Sequence, residues 1–260
     1  MKIADLFNVS GKVAIVTGGS RGIGEMIAEG LVSNGVRTYI TARNAEACDA
    51  TAARLSEFGE CISIPADLAT EAGLAAFIAE FTSREDSLDI LVNNAGAAWG
   101  APLGEFPTVG FDKVMDINVK APFMLSQAML PYLKVNASAD DPGRIIMIGS
   151  IDGIKVPLGD NFSYSASKAG VQMLGRHLAK FVVGDNITVN SIAPGPFESK
   201  MMAYMLDDAD RRAMVERAVP RGRIGSPEDI AGTVIFLASR AGAFLTGGTI
   251  PVDGGLSSLA

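Results

Sequence analysis

Tyr164 and Lys168 stand four residues apart in the run Tyr164-Ser165-Ala166-Ser167-Lys168, a spacing that on a helix puts both side chains on one face. A phenol beside an ammonium is a proton-transfer pair. Tyrosine titrates near about 10, and a neighbouring cation favours the phenolate, which would bring proton exchange closer to neutral pH. A second group lies near the amino terminus, in Thr17-Gly18-Gly19-Ser20-Arg21-Gly22-Ile23-Gly24. Glycines there let the backbone turn tightly and approach a pyrophosphate, whose charge is stabilised by the free amides of a following helix. The spacing is GxxxGxG, and the Gly-Lys-Ser/Thr ending of a nucleotide-hydrolysing P-loop is missing. A turn with spare glycines would look the same, but the strand-turn-helix context favours dinucleotide binding.

Which dinucleotide is decided further on. An acidic residue at the end of the second strand would accept from a ribose 2′-hydroxyl, but Thr41-Ala42-Arg43-Asn44 offers Arg43 instead. With Arg21 inside the glycine run as a second cation, the pair suits a 2′-phosphate and favours NADP over NAD. Charge-assisted hydrogen bonds contribute about 1.5–3 kcal/mol each, so even one gives a clear preference.

Elements able to position these groups are legible as apolar runs at 12–17, 36–41, 61–66, 88–92, 144–148, 188–192 and 249–252, whose near-continuous hydrophobicity implies strands covered on both faces. Amphipathic stretches at 23–34, 45–58, 71–83, 110–134, 164–183 and 227–239 alternate with them as crossover helices. The pattern predicts an α/β chain of Rossmann type: a doubly wound, seven-stranded parallel sheet with helices on both faces, in a single domain over 1–260. Asp67-Leu68 follows the third strand, where the carboxylate could accept from an adenine amino group, and Asn93-Asn94-Ala95-Gly96 closes the fourth. Residues 196–218 fit the alternation least well. They follow Pro194-Gly195-Pro196 and carry Met201, Met202, Met205 and Met214, flexible side chains suited either to a mobile cover over a substrate or to core packing.

Composition excludes several classes. The formal charge of −7, without a long basic run, disfavours nucleic acid and anionic membrane, and no apolar run reaches the eighteen or so residues of a membrane span. A cytoplasmic protein is expected. Cys48 and Cys61 lack metal-site spacing, so no metal is expected and both read as free thiols. His177, the single histidine, has no partner for a metal pair and reads as a packing or surface residue.

Together the glycine run, Asn93-Asn94-Ala95-Gly96, Tyr164 to Lys168 and Pro194-Gly195 resemble, in order and over nearly the whole chain, the short-chain dehydrogenases/reductases. The resemblance, not the spacing, adds Asn118 and Ser150 to Tyr164 and Lys168 as a catalytic tetrad for NADPH-dependent reduction of a carbonyl. It implies that Tyr164 gives the proton, Ser150 holds the carbonyl, Lys168 holds the nicotinamide ribose and lowers the phenol pKa, and Asn118 anchors a water. It also implies cofactor contacts at Gly18, Ser20, Arg21, Gly22, Ile23, Gly24, Arg43, Asp67, Leu68, Asn94, Ala95, Gly96, Pro194, Gly195 and Ser199, the last standing where threonine is usual. Fourteen positions separate Ser150 from Tyr164, implying a long substrate loop at 152–162.

Within the family, Ala42-Arg43-Asn44-Ala45-Glu46-Ala47-Cys48 and Ile192-Ala193-Pro194-Gly195 look like β-ketoacyl reductases, implying a 3-oxoacyl thioester, with Trp99, Phe197, Met201 and Met205 as its apolar contacts. The acidic net charge offers no patch for an acidic acyl-carrier protein. A polyol or steroid dehydrogenase would share every one of these residues, and a nucleotide-sensing regulator would share the cofactor site while having no need of the Tyr/Lys pair. Family resemblance implies a homotetramer or homodimer; Val171, Leu174, Leu178 and Phe181 form an apolar stripe fit for either core or interface.

Overall fold

Successive residues of a strand point to opposite faces, and here both faces meet an apolar layer. Ala14 and Val16 of β1 (Val13–Thr17) join one buried cluster and Val13 and Ile15 the other. β4 (Ile90–Asn93) divides likewise, with Ile90 and Val92 on one side and Leu91 opposite, as does β5 (Gly143–Ile148), with Ile146 and Ile148 against Ile145 and Met147. The runs are continuous in the sequence because two cores read alternate letters. Burying each such side chain contributes about 1.5–3 kcal/mol.

The computed structural model describes residues 2–157 and 159–259. With β2 (Arg37–Thr41), β3 (Cys61–Ser63), β6 (Ile187–Pro194) and β7 (Thr249–Val252), the strands form one seven-stranded sheet in the order β3-β2-β1-β4-β5-β6-β7, every pair parallel. After a short α1 (Ile3–Leu6), one face is covered by α2 (Gly22–Val32), α3 (Ala45–Leu55) and α10 (Pro227–Ala238). The other carries α4 (Glu71–Thr82), α6 (Ala121–Leu133), which α5 (Thr108–Met115) precedes, and α7 (Phe162–Val182). The winding moves outward from β1 to β3 and then resumes at β4 on the other side of β1, so a crevice opens where the carboxyl ends of β1 and β4 part. Two short helices, α8 (Ala203–Leu206) and α9 (Ala209–Ala218), lie between β6 and β7.

Two expected elements differ. The third strand is regular only over Cys61–Ser63, although Ile64 and Ala66 still donate to Ile40 O and Ala42 O at 2.9 and 3.1 Å. Pro65, without an N–H, lies between them on this edge strand. The helix expected over 110–134 is broken by a π-helical turn at Asp116–Lys120 joining α5 to α6. Arg144, at the start of an apolar run, is 1% exposed. Its guanidinium donates to Leu237 O at 2.8 Å and Ser239 O at 2.9 Å, satisfying carbonyls at the carboxyl end of α10, and to Pro142 O just before β5.

Candidate active site

The glycine turn between β1 and α2 is shaped by contacts that leave no room for side chains. Gly18 and Gly22 take φ of +67° and +56°, conformations that L side chains rarely adopt. A Cβ on Gly24 would lie 2.2 Å from Gly18 O, and one on Gly18 2.9 Å from Ala95 Cα. Side chains cap α3, α4 and α9, but the N-cap position of α2 is Arg21, whose side chain makes no capping bond. The first-turn amides of α2, which follow the carboxyl end of β1, therefore lack a side-chain acceptor, a setting that favours an anion. Arg21 and Arg43 are both exposed, and neither forms an ion pair among the described residues.

The loop after β4 is tied to this turn by side chains. Thr17, 2% exposed, accepts through Oγ1 from the amides of Asn94 and Ala95, both at 2.9 Å, and donates to Val92 O at 3.3 Å. Asn94 Nδ2 returns a bond to Thr17 O at 2.8 Å. Asn93 faces inward to Ser126 Oγ at 3.1 Å, and Asp67 accepts from Ala69 N at 3.1 Å just beyond the third strand, ahead of buried Leu68. Thr17 is a positioning residue that the motif reading passed over.

Asn118 reaches the same loop from the π-helical turn. Its Oδ1 accepts from Ala97 N at 2.9 Å, while Nδ2 donates to Ala97 O at 3.0 Å and Ser167 Oγ at 2.8 Å. Ser167 in turn donates to Tyr164 O at 2.7 Å, which links Asn118 to α7. A Cβ on Gly96 would fall 3.1 Å from Asn118 Oδ1 and 3.6 Å from Lys168 Nζ, so Gly96 sits between the two. One extra residue in a helix turns a side chain toward the loop, and π turns are frequent at functional sites for that reason.

Ser150 follows β5 as the N-cap of a 3-10 turn at Ile151–Gly153, with Gln172 Nε2 donating to its carbonyl at 2.7 Å. Its hydroxyl interacts with the phenol of Tyr164, and Lys168 Nζ, 5.5 Å from the Tyr164 ring centroid, donates to Ile148 O at 2.8 Å. The four residues therefore converge beside the crevice from three elements. One expectation needs correction. Burial pushes the phenol up to about 12, with hydrogen bonding to Ser150 opposing the rise and the charge of Asp152 adding to it. Burial likewise pushes the Lys168 ammonium down to about 8. Desolvation penalises both charged forms.

Around this centre, Pro194 ends β6 and Gly195 follows it; a Cβ on Gly195 would touch Asp253 Cα at 2.8 Å. Ser199 lies against the glycine turn, 3.2 Å from where a Cβ of Gly22 would sit. Trp99 packs over Gly110 of α5 with Lys113 Nζ 5.4 Å from its ring. Met201 is exposed and Met205 half-buried. Phe197, expected at the substrate, is 2% exposed within the apolar cluster on the α2 and α10 side, its ring pressed on Gly225. That packing, and not contact with an acyl chain, accounts for its burial. In the loop expected at 152–162, Leu158 lies outside the described residues.

The family model described as Enoyl-(Acyl carrier protein) reductase matches residues 18–257. A Pseudomonas aeruginosa protein named rhamnolipids biosynthesis 3-oxoacyl-[acyl-carrier-protein] reductase is 49% identical over 252 residues, covering 96% of this chain and 97% of that protein. The chain is a short-chain dehydrogenase/reductase. As a member of that oxidoreductase family it is also 34% identical over 249 residues to the Escherichia coli 3-oxoacyl-[acyl-carrier-protein] reductase FabG, covering 96% of this chain and 98% of FabG. The Pseudomonas aeruginosa RhlG/NADP active-site complex superposes with a TM-score of 0.94 at 47% identity, over 97% of this short-chain dehydrogenase/reductase and 99% of that structure.

Proposed function

We propose that the protein reduces 3-oxoacyl thioesters with NADPH. The observation that carries this is the convergence of Asn118, Ser150, Tyr164 and Lys168 beside a glycine cradle, in a chain 49% identical to a 3-oxoacyl-[acyl-carrier-protein] reductase. The cradle fits a dinucleotide, since the sites that a Cβ would fill and the uncapped amides of α2 leave space and charge for a pyrophosphate. Gly18, Ser20, Gly22, Ile23 and Gly24 would hold it there, Arg21 and Arg43 its 2′-phosphate, Asp67 and Leu68 its adenine. Asn94, Ala95 and Gly96, with Pro194, Gly195 and Ser199, would hold its nicotinamide end.

When bound, the cofactor supplies the hydride. Charge builds on the carbonyl oxygen, and Tyr164, protonated at neutral pH, gives its proton there. Ser150 donates to the same oxygen and keeps it within reach of the phenol. Lys168 would hold the nicotinamide ribose, and the Asn118 turn would anchor the water that returns the proton to Tyr164. Trp99, Met201 and Met205 face the acyl chain, and 196–218 is the cover over it.

The protein works in the cytoplasm as a homotetramer or homodimer. No helix is long and apolar enough to cross a membrane among the described residues. Phe111, Phe123 and Met124 on α5 and α6, and Met173 and Phe181 on α7, are exposed apolar groups suited to a second copy. Initial rates with NADPH and NADH on 3-oxoacyl thioesters of acyl-carrier protein and of coenzyme A, beside keto-sugar acids, polyols and steroids, test the reading. NADPH-dependent turnover highest on a 3-oxoacyl thioester is expected. A higher kcat/KM on a sugar acid, or cofactor binding without turnover, refutes it.

A further inference from the structure

The turn after Ser150 holds a carboxylate that none of the motifs accounts for. Asp152 is the middle residue of the 3-10 turn Ile151–Gly153. Its N–H donates to Ser150 Oγ at 3.1 Å, and its Oδ2 accepts from Asn161 Nδ2 at 3.1 Å. Asn161 is the N-cap residue of α7, three positions before Tyr164, so the carboxylate is fixed to the helix that carries the phenol. The turn cannot drift from that helix. A Cβ on Gly153 would lie 2.6 Å from the Lys168 carbonyl carbon and the Ala169 nitrogen, which puts turn and helix in backbone contact about one helical turn beyond Tyr164.

We propose that Asp152 is a positioning residue for the Ser150–Tyr164 pair: its N–H aims the Ser150 hydroxyl, and its carboxylate, anchored on Asn161, holds a negative charge beside the phenol. The charged groups around it are few. Lys155 Nζ donates to Leu256 O at 3.0 Å and partly offsets the carboxylate, while Lys168 Nζ is engaged by Ile148 O. Burial pushes the Asp152 carboxyl up, and Asn161 and Lys155 hold it back. A fixed anion disfavours the phenolate, so Tyr164 keeps its proton until a stronger demand, the charge on a reduced carbonyl oxygen, takes it. That consequence rests on the reductase reading. The placement of Asp152 does not, and it is tested without substrate.

The whole chain labelled with 3-fluorotyrosine carries four fluorinated phenols, of which Tyr164 is assigned by its loss in Tyr164→Phe. Fluorination makes each phenol more acidic and brings its titration into a range the fold survives. Asp152→Asn is expected to move the Tyr164 midpoint down by about one pH unit, equivalent to roughly tenfold more phenolate at a fixed pH below it. Asp152→Glu is expected to restore most of the shift, and Asn161→Ala, which frees the carboxylate without touching the turn, to move the same resonance less far in the same direction. The three other tyrosine resonances report an intact fold. A Tyr164 midpoint unmoved in Asp152→Asn, or moved as far by Asp152→Glu, overturns the proposal.

Discussion

Asn118→Ala removes more than a reacting group. The Asn118 side chain, 2% exposed, makes three hydrogen bonds of 2.8–3.0 Å, two to the backbone of Ala97 and one to Ser167. Each such bond contributes about 0.5–1.5 kcal/mol net, and each buried group left unpaired costs about 1–3 kcal/mol. Allowing water to reach the loop side of the break, the variant should lose about 3 kcal/mol. At about 2–4 °C per kcal/mol for a chain of this size, thermal unfolding should fall by roughly 6–12 °C. Circular dichroism melts of parent and variant measure this, with kcat followed on the same preparations. Asn118→Asp keeps the acceptor for Ala97 N but turns an oxygen toward Ala97 O, so it should be at least as destabilised. A melting point for Asn118→Ala within about 2 °C of the parent, with kcat lost, would mean that Asn118 serves chemistry alone and refute the stapling argument.

Tyr164→Phe should retain NADPH binding by fluorescence titration while kcat falls about 10²–10⁴-fold, and an unchanged kcat removes Tyr164 from proton delivery. Arg43→Asp should narrow or reverse the NADPH preference, with the ratio of KM values for the two cofactors moving about tenfold or more; an unmoved ratio excludes Arg43 from selection. The Lys168 ammonium, pushed down by burial from 10.5 to about 8, is lost as pH rises through that value. The kcat/KM profile for reduction should therefore decline above about pH 8, and a profile flat to pH 10 shows that the ammonium is dispensable. Between about pH 8 and 10.5 the unfolded chain binds the extra proton, so this group alone makes stability rise with pH there, as chemical denaturation can measure.

Strand positions were legible because two cores demand apolar residues at consecutive sites, and the glycine turn because Gly18 and Gly24 have no space for a side chain. What escaped was set by contacts distant in sequence. The π turn at Asp116–Lys120 leaves no trace in the apolar pattern of 110–134, so Asn118 entered only by resemblance. Arg144 looks like a strand boundary until the carbonyls of Leu237 and Ser239, over ninety positions away, come to rest on it. Phe197 looks like a ligand contact after Pro-Gly-Pro, and only the packing of Gly225 shows where its ring goes. The spacing of Tyr164 and Lys168 correctly paired them, but the direction of the phenol shift depended on burial, which spacing does not carry.

Several bonds that fix the reacting centre run inward or sideways: Thr17 to the Asn94 loop, Asn118 to Ala97 and Ser167, Gln172 to Ser150. The stretch that carries Met201 and Met205 holds none of these bonds, and the loop of Trp99 is held among them at Ala97. Substitutions at Met201 and Met205 leave all of these bonds in place, so that stretch is free to diverge while the bonded frame stays constant. Under the proposed function, libraries aimed at a new ketone belong at Met201 and Met205 and should leave Thr17, Ser167 and Gln172 untouched.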